Sequence, residues 1–169
     1  NASGNTVVEN TPFYNLTLNN ASETFDLSGT TTVSNNLTIT AGVLDAVSGQ
    51  NHLLIVGGNF ASTGTFTPRN GSVEFIDASK ITNISGAVTF YGFVVNTAGK
   101  NIDFTAGQTF TINGLLTIAG TNGNPVVFNS TTGSSSWTIN HQGAESIAYL
   151  TVSWGACHGS STDITLSFT

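Results

Sequence analysis

The sequence predicts an all-β protein, a right-handed parallel β-helix (β-solenoid), from three observations. Short segments such as Leu37-Thr38-Ile39 and Phe110-Thr111-Ile112 alternate apolar and polar residues, which is the period of a strand with one buried face. Clusters of Gly, Asn and Ser separate these segments and supply turns. The chain also repeats itself, and no segment has the caps and 3.6-residue period of a helix.

The internal repeat distinguishes a solenoid from a sandwich or a barrel, which short strands alone would also fit. The segment Phe13–Leu18 returns as Phe90–Val95, which is an offset in numbering of 77 (90 − 13). Two further pairs of segments are related in the same way: Phe25–Leu27 with Ile102–Phe104 and, at an offset of 79, Val33–Ile39 with Ile112–Ile118. Self-similarity of this kind is typical of chains that stack like on like.

The spacing of strand centres predicts the size of one coil. Five anchor positions lie at successive intervals of 21, 18, 20 and 18 in the numbering: Leu16, Leu37, Ile55, Phe75 and Phe93. A three-sided coil of ~19 residues fits four times into the repeat and gives about 8–9 rungs, with right-handed crossovers preferred. We therefore expect a single domain, 1–169, with repeats at roughly 13–89 and 90–169 and an N-terminal edge strand or cap at 1–12.

Composition excludes several classes of partner. Charged residues make up 7% of the chain, against about 25% in ordinary globular proteins, while 38% of residues are apolar. The only basic residues are Arg69, Lys80 and Lys100, and the net charge is −6, so we expect no nucleic-acid partner. The sequence contains no apolar run of about 18 residues, so we expect no insertion into a membrane. Methionine is absent, even at position 1, which a removed signal peptide or a trimmed chain would explain. A signal peptide would imply secretion, and we expect an extracellular or cell-surface location.

Three blocks of sequence carry a resemblance to a known class of protein: FYNLTLNN…FDLSGTTTVSNNLTITAGVLDA, LLIVGGNFASTGTF and GSVEFID…ITNISGAVTFYGFVV. They resemble the repeats of large bacterial cell-surface and adhesin-like proteins, similar in style to filamentous-haemagglutinin passengers. The resemblance covers about 13–118, and the segment WTINHQGAESIAYLTVSWGACHG resembles the region C-terminal to such repeats. It implies a right-handed parallel β-helix in a surface protein, here as an excised segment or as a small subunit that extends itself by assembly.

The two ends of the solenoid are candidate assembly edges, because an uncapped sheet edge templates further strand pairing. Near the N-terminus, the edge residues are Thr6, Val7 and Val8. Near the C-terminus, the alternating segment 163–169 presents Ile164, Leu166 and Phe168. Either flanking sequence is missing here, or the rungs of one copy continue onto the next, head to tail. The predicted partner is therefore a second copy of the chain, with glycans or a host or cell surface as alternatives.

Seven Asn-X-Ser/Thr sequons are possible glycosylation sites. Asn20, Asn70 and Asn129 are the preferred candidates because their sequence surroundings are typical of turns. A chain this rich in Asn, Thr and Ser also produces sequons by chance, and asparagines serve equally in turns and in stacked amide ladders.

No catalytic, cofactor or metal site is predicted. Asp26 and Asp103 hold equivalent positions in the repeat but would lie roughly 19 Å apart, too far for paired acid–base chemistry, and both are expected to face solvent. His141, Cys157 and His158 match no standard zinc spacing. Cys157 is the only cysteine, which leaves a buried thiol, a reactive thiol or an intermolecular bridge.

The sequence thus predicts a non-enzymatic extracellular structural protein. In this interpretation the chain is a β-solenoid subunit or segment of a self-assembling surface fibre, sheath or adhesin stalk. The alternative is an adhesin module that binds a glycan or another repetitive surface.

Overall fold

The computed structural model describes residues 5–158, with the backbone alone described for 156–158. These residues form nineteen strands and no helix. The strands are β1 (Thr6–Val8), β2 (Leu16–Leu27), β3 (Thr31–Val33), β4 (Leu37–Asp45), β5 (Leu54–Val56), β6 (Phe60–Ser62), β7 (Thr65–Thr67), β8 (Ser72–Phe75), β9 (Ile81–Ser85), β10 (Thr89–Phe90), β11 (Gly92–Val95), β12 (Asn101–Phe104), β13 (Thr109–Ile112), β14 (Leu116–Ala119), β15 (Val126–Ser130), β16 (Trp137–His141), β17 (Glu145–Ala148), β18 (Leu150–Val152) and β19 (Gly155–His158). Within this part of the chain, no helix is long and apolar enough to cross a membrane.

The strands stack in parallel into three sides, which confirms the predicted parallel β-helix. Side 1 holds β3, β5, β8, β11, β14 and β17. The long strands β2 and β4 bend around a corner, so their first halves belong to side 2 and their second halves to side 3. Side 2 continues through β6, β9, β12, β15 and β18. Side 3 starts with β1 and continues through β7, which lies beside β10, to β13, β16 and β19.

The predicted coil length and count need correction. The structure has about six turns of about 23 residues, rather than 8–9 rungs of ~19. On side 1, the interval between partners in successive layers ranges from 19, between Leu54 and Val73, to 29, between Leu116 and Glu145. The cause is loop length: the corner between β15 and β16 alone takes six residues, 131–136, which a mean spacing taken from the first half of the chain underestimates.

The internal repeat relates segments on different sides of the coil. The expectation that it spans four complete coils of ~19 residues is therefore wrong. Phe13 bridges Val33 on side 1, whereas its repeat partner Phe90 lies in β10 on side 3. Leu37 lies on side 2 and its repeat partner Leu116 on side 1. The offset of 77 therefore spans eleven sides, or three and two-thirds turns, and not four complete coils.

Inward-facing side chains fill the coil as a continuous apolar column. Successive rings stack edge-on or tilted at centroid distances of 5.0–6.4 Å between Phe60 and Phe93, and the series continues to Trp137. In the part of the chain whose side chains are described, thirty buried apolar residues form this core. Each large side chain contributes on the order of 1.5–3 kcal/mol from burial, so the apolar column is the main source of stability of the fold.

An asparagine ladder runs along the corner between sides 1 and 2. The Oδ1 atom of Asn15 accepts from the amide of Asn36 at 3.1 Å, Asn36 does the same for Asn59 at 3.0 Å, and Asn59 does so for Asn83 at 2.9 Å. In the first two layers the ladder asparagine is followed by an apolar residue and then by Thr17 or Thr38 on the strand. Asn83 is likewise followed by Ile84 and Ser85, so three of the seven sequons, at Asn15, Asn36 and Asn83, coincide with the ladder.

Candidate assembly site at the first layer

The first layer of the solenoid, β1 with β2, has an open edge within the described residues. The carbonyl of Val8 accepts from Ser28, and the amide of Leu16 donates to Asn36, so these groups face the next layer. Alternate residues of a parallel strand bond to opposite neighbours, so Val7 and Thr17 direct their N–H and C=O groups to the open edge. This is a ready template for another parallel strand.

An apolar groove of about 360 Å³ opens beside this edge. Most of its lining surface is apolar, with polar groups at Thr6, Glu9 and Thr11; the other lining residues are Val7, Val8, Phe13, Leu16, Leu18 and Phe25. In the layer that contains β1, side 3 is occupied by β1 itself. No described strand occupies side 1 of that layer, above Phe13, or side 2, above Leu16, and the groove lies there. It is the unfilled part of a coil, open on two of its three sides.

The structure places the predicted N-terminal edge residues at this groove. Thr6 and Val7 are exposed, Val7 by 37%, whereas Val8 is buried and belongs to the core. The groove residues Phe13, Leu16 and Phe25 appear in the repeat but were not predicted as edge residues, because their alternation is indistinguishable from that of fully covered strands. The predicted C-terminal edge residues Ile164, Leu166 and Phe168 lie outside the described residues.

The last described coil, β17 to β19, forms the opposite end. Its strands pair with β14, β15 and β16, and no described strand pairs with their outer edges. Trp137 underlies this coil, donating from Nε1 to the carbonyl of Ser153 at 3.1 Å. A side chain at Gly155 would meet the Trp137 ring, so the last coil packs closely on the layer below.

The three preferred sequon asparagines occupy different environments. Asn70 is exposed in a turn, as expected, and Asn20 is exposed on the irregular part of β2. Asn129 lies within β15 instead of a turn, and its Oδ1 atom is buried without a hydrogen-bond partner. Glycosylation at Asn20 and Asn70 stays a prediction, and the strand position of Asn129 makes it the least accessible of the three.

The two repeat carboxylates are neither equivalent nor freely exposed. Asp26 is on side 3 with 6% of its surface exposed, and Asn5 donates to both of its oxygens at 3.0 Å, so the expected solvent-facing position is wrong. Asp103 is on side 2, where burial raises its carboxyl pKa. Asp26 is in register with Asp45, whose pKa is lowered mainly by a two-pronged hydrogen bond from Arg69 at 2.6 and 2.9 Å. These contacts are structural and assemble no acid–base pair.

The C-terminal His and Cys residues are spread along the coil. His141 is buried and its Nε2 lies 3.1 Å from the carbonyl of Gly114. In the backbone register Cys157 is opposite Ile139, and His158 is opposite Asn140. No group of three or more metal-ligating side chains occurs among the described residues.

Lys100 forms buried hydrogen bonds that the sequence did not predict. Although charged, it is fully buried, and its Nζ donates to the carbonyls of Asp77 at 3.1 Å and Lys80 at 2.8 Å. Lys80 in turn forms an ion pair with Asp77 at 3.0 Å. One lysine thus fastens the loop of the neighbouring coil. Burial lowers the pKa of Lys100 to about 8, opposed by the nearby Asp77 carboxylate and reinforced by the Lys80 charge.

We expect the contribution of Lys100 to stability to rise with pH. Its pKa is about 8 when folded and 10.5 as a free side chain, so the unfolded chain binds more protons between these values. The free energy of unfolding should therefore increase from pH 8 to 10.5, by on the order of 3 kcal/mol at most from this group. Urea titrations of the parent and of Lys100→Met at several pH values between 8 and 10.5 measure how the free energy of unfolding of each protein changes with pH. Equal pH slopes in the two proteins would contradict the assignment.

Comparison of the chain with protein-family models, curated proteins and solved structures found no match. A proposal for the function therefore rests on the fold and on the groove at the first described layer.

Proposed function

We propose that this chain is a non-enzymatic structural protein, a β-solenoid subunit or segment of a self-assembling extracellular fibre, sheath or adhesin stalk. The observation that carries the proposal is the first layer, where a mainly apolar groove lies beside a parallel edge that no described strand pairs with. A monomer that leaves both exposed loses the burial and backbone hydrogen bonds that every inner coil gains.

The chemistry of the sides supports a mechanical role. Stacked parallel strands give backbone hydrogen bonds along the axis, and the inner phenylalanine column resists local opening. The low charge content, 7% of residues, keeps repulsion between stacked copies small. The sequence resemblance to bacterial surface repeats supports the same setting, in which a stiff rod spans the distance between a cell and its surroundings.

The exposed aromatic residues do not favour the glycan-binding alternative. Tyr14, 68% exposed, lies at the first layer, and Trp154, 54% exposed, lies in the last coil. Rings at opposite ends of the solenoid cannot stack on one sugar, whereas binding platforms need neighbouring aromatic faces. Assembly is therefore the function that the described surface supports better.

Sedimentation velocity and negative-stain electron microscopy of the purified chain test the proposal. We expect concentration-dependent oligomers and filaments one solenoid wide. A single species of 17.4 kDa at the highest soluble concentration would rule the proposed assembly out.

A further inference from the structure

We propose that the first-layer groove is the receiving site for a second copy of this chain, which docks through β19 and the segment 162–169. This inference rests on the proposed function and specifies which surfaces meet. It assigns Val7 and Thr17 as the receiving backbone groups and Ile164, Leu166 and Phe168 as the inserted side chains.

The path of the coil determines which sides meet. β1 and β19 both lie on side 3, so β19 of one copy continues the side-3 stack onto β1 of the next. The strands are parallel throughout, so this pairing retains the direction of all the others. With β1 and β19 in contact, the open parts of the joining layer are sides 1 and 2, where the groove lies.

The spacing of the last coil predicts which segment fills these two sides. Three residues, 142–144, separate β16 from β17, and the strands of sides 1 and 2 then occupy Glu145–Val152. Applied after β19, the same spacing would assign 159–161 to the turn and 162–169, which lie outside the described residues, to sides 1 and 2 of the joining layer. That segment reads Thr-Asp-Ile-Thr-Leu-Ser-Phe-Thr, with apolar residues at alternate positions.

The groove suits this occupant chemically. Its apolar lining, which includes Phe13, Leu16 and Phe25, faces a segment whose only charged residue is Asp163. In the proposed complex, Ile164, Leu166 and Phe168 would be buried against this lining. In this docking mode the segment would enter another molecule and not its own, because three residues, 159–161, span at most ~11 Å, whereas the layers from β1 to β19 extend over ~34 Å at ~4.8 Å per layer.

Two pairs of variants separate the receiving and inserting surfaces. Val7→Pro removes the outward N–H of β1 while leaving its bonds to β2, and Val7→Ala is the matched control that retains this donor. Leu166→Lys places a charge at one of the apolar positions of the inserting segment. Thr165→Lys is its control, because it places the same charge at a neighbouring polar position of the alternation. Thermal unfolding of each variant checks that the solenoid itself is intact.

Sedimentation velocity gives the decisive readout. We expect Val7→Pro and Leu166→Lys to be monomeric alone and to form only a dimer of 34.8 kDa (2 × 17.4) when mixed, since each retains one working end. The two control variants should assemble like the parent. Assembly of Leu166→Lys alone would overturn this docking mode while leaving the proposed function intact.

A binding measurement tests the site even if the parent chain stays monomeric. A fluorescent peptide of residues 155–169, which includes the β19 segment that pairs with β1, should bind the Leu166→Lys protein in an anisotropy titration, and Val7→Pro introduced into that protein should weaken binding at least tenfold. Absence of peptide binding, or binding unaffected by Val7→Pro, would overturn the assignment of the groove.

Discussion

Replacing Phe104 by alanine is expected to lower the free energy of unfolding by about 3–5 kcal/mol, the range for deleting a fully enclosed aromatic side chain. The Phe104 ring is fully buried and lies 4.2 Å from Trp137, 5.0 Å from Phe110 and 5.2 Å from Phe128, measured between ring centroids. Because strands from successive coils hold these neighbours, the cavity cannot close without moving the coils. Denaturation in guanidinium measures the change.

Tyr14→Ala is the control for Phe104→Ala. It also deletes an aromatic ring, but Tyr14 is 68% exposed and at the first layer, so its loss should cost less than about 1 kcal/mol. Equal effects of the two substitutions would mean that the apolar column does not provide the main stability of the solenoid.

Replacing Gly86 by alanine is expected to be destabilising by about 2–5 kcal/mol for two reasons that act together. Gly86 has a φ of +91°, a left-handed conformation that costs an L-residue about 1–2 kcal/mol. An added Cβ would also overlap the carbonyl oxygen of Ser62 in the coil below, and relieving such crowding costs about 1–3 kcal/mol more. Thermal and urea unfolding measure the sum.

Gly107→Ala isolates the close approach between coils. Gly107 has a similar φ of +74°, but no atom lies within 4 Å of the position of an added Cβ. We expect it to cost only the conformational part, about 1–2 kcal/mol. If Gly86→Ala costs no more than Gly107→Ala, the spacing of the coils at this corner is looser than the structure has it.

The fold class could be predicted from sequence because alternation and self-similarity report directly on stacked parallel strands. The coil length could not, because all three sides require the same pattern of inward apolar residues. A match such as Phe13 with Phe90 therefore records a shared strand pattern but does not say which side it occupies. The variable loops, such as 131–136, add residues that no strand pattern anticipates.

The candidate site could be predicted only in part. Val7 was identifiable as an edge residue because it lies in a short N-terminal strand pattern, but Phe13, Leu16 and Phe25 have the alternation of covered strands. Whether a strand is covered depends on where neighbouring coils begin, which is a property of the three-dimensional path. The burial of Lys100 has the same origin, since its partners are backbone carbonyls of the preceding coil.

The axial repeat of the assembled filament tests the central claim, end-to-end continuation of the solenoid, most directly. Side 1 has six strands, one for each of the about six turns, whereas side 3 has eight among the described residues, from β1 to β19, because the described path begins and ends on side 3 and the second halves of β2 and β4 belong to it. Stacking β19 on β1 gives eight layers of ~4.8 Å, so helical reconstruction by electron cryo-microscopy should find one subunit every ~38 Å along the axis. Strand layers at this spacing with a subunit repeat of eight layers would agree with the account. Filaments in which the strands are not stacked along the axis, or in which each copy contributes a different number of layers, would contradict it.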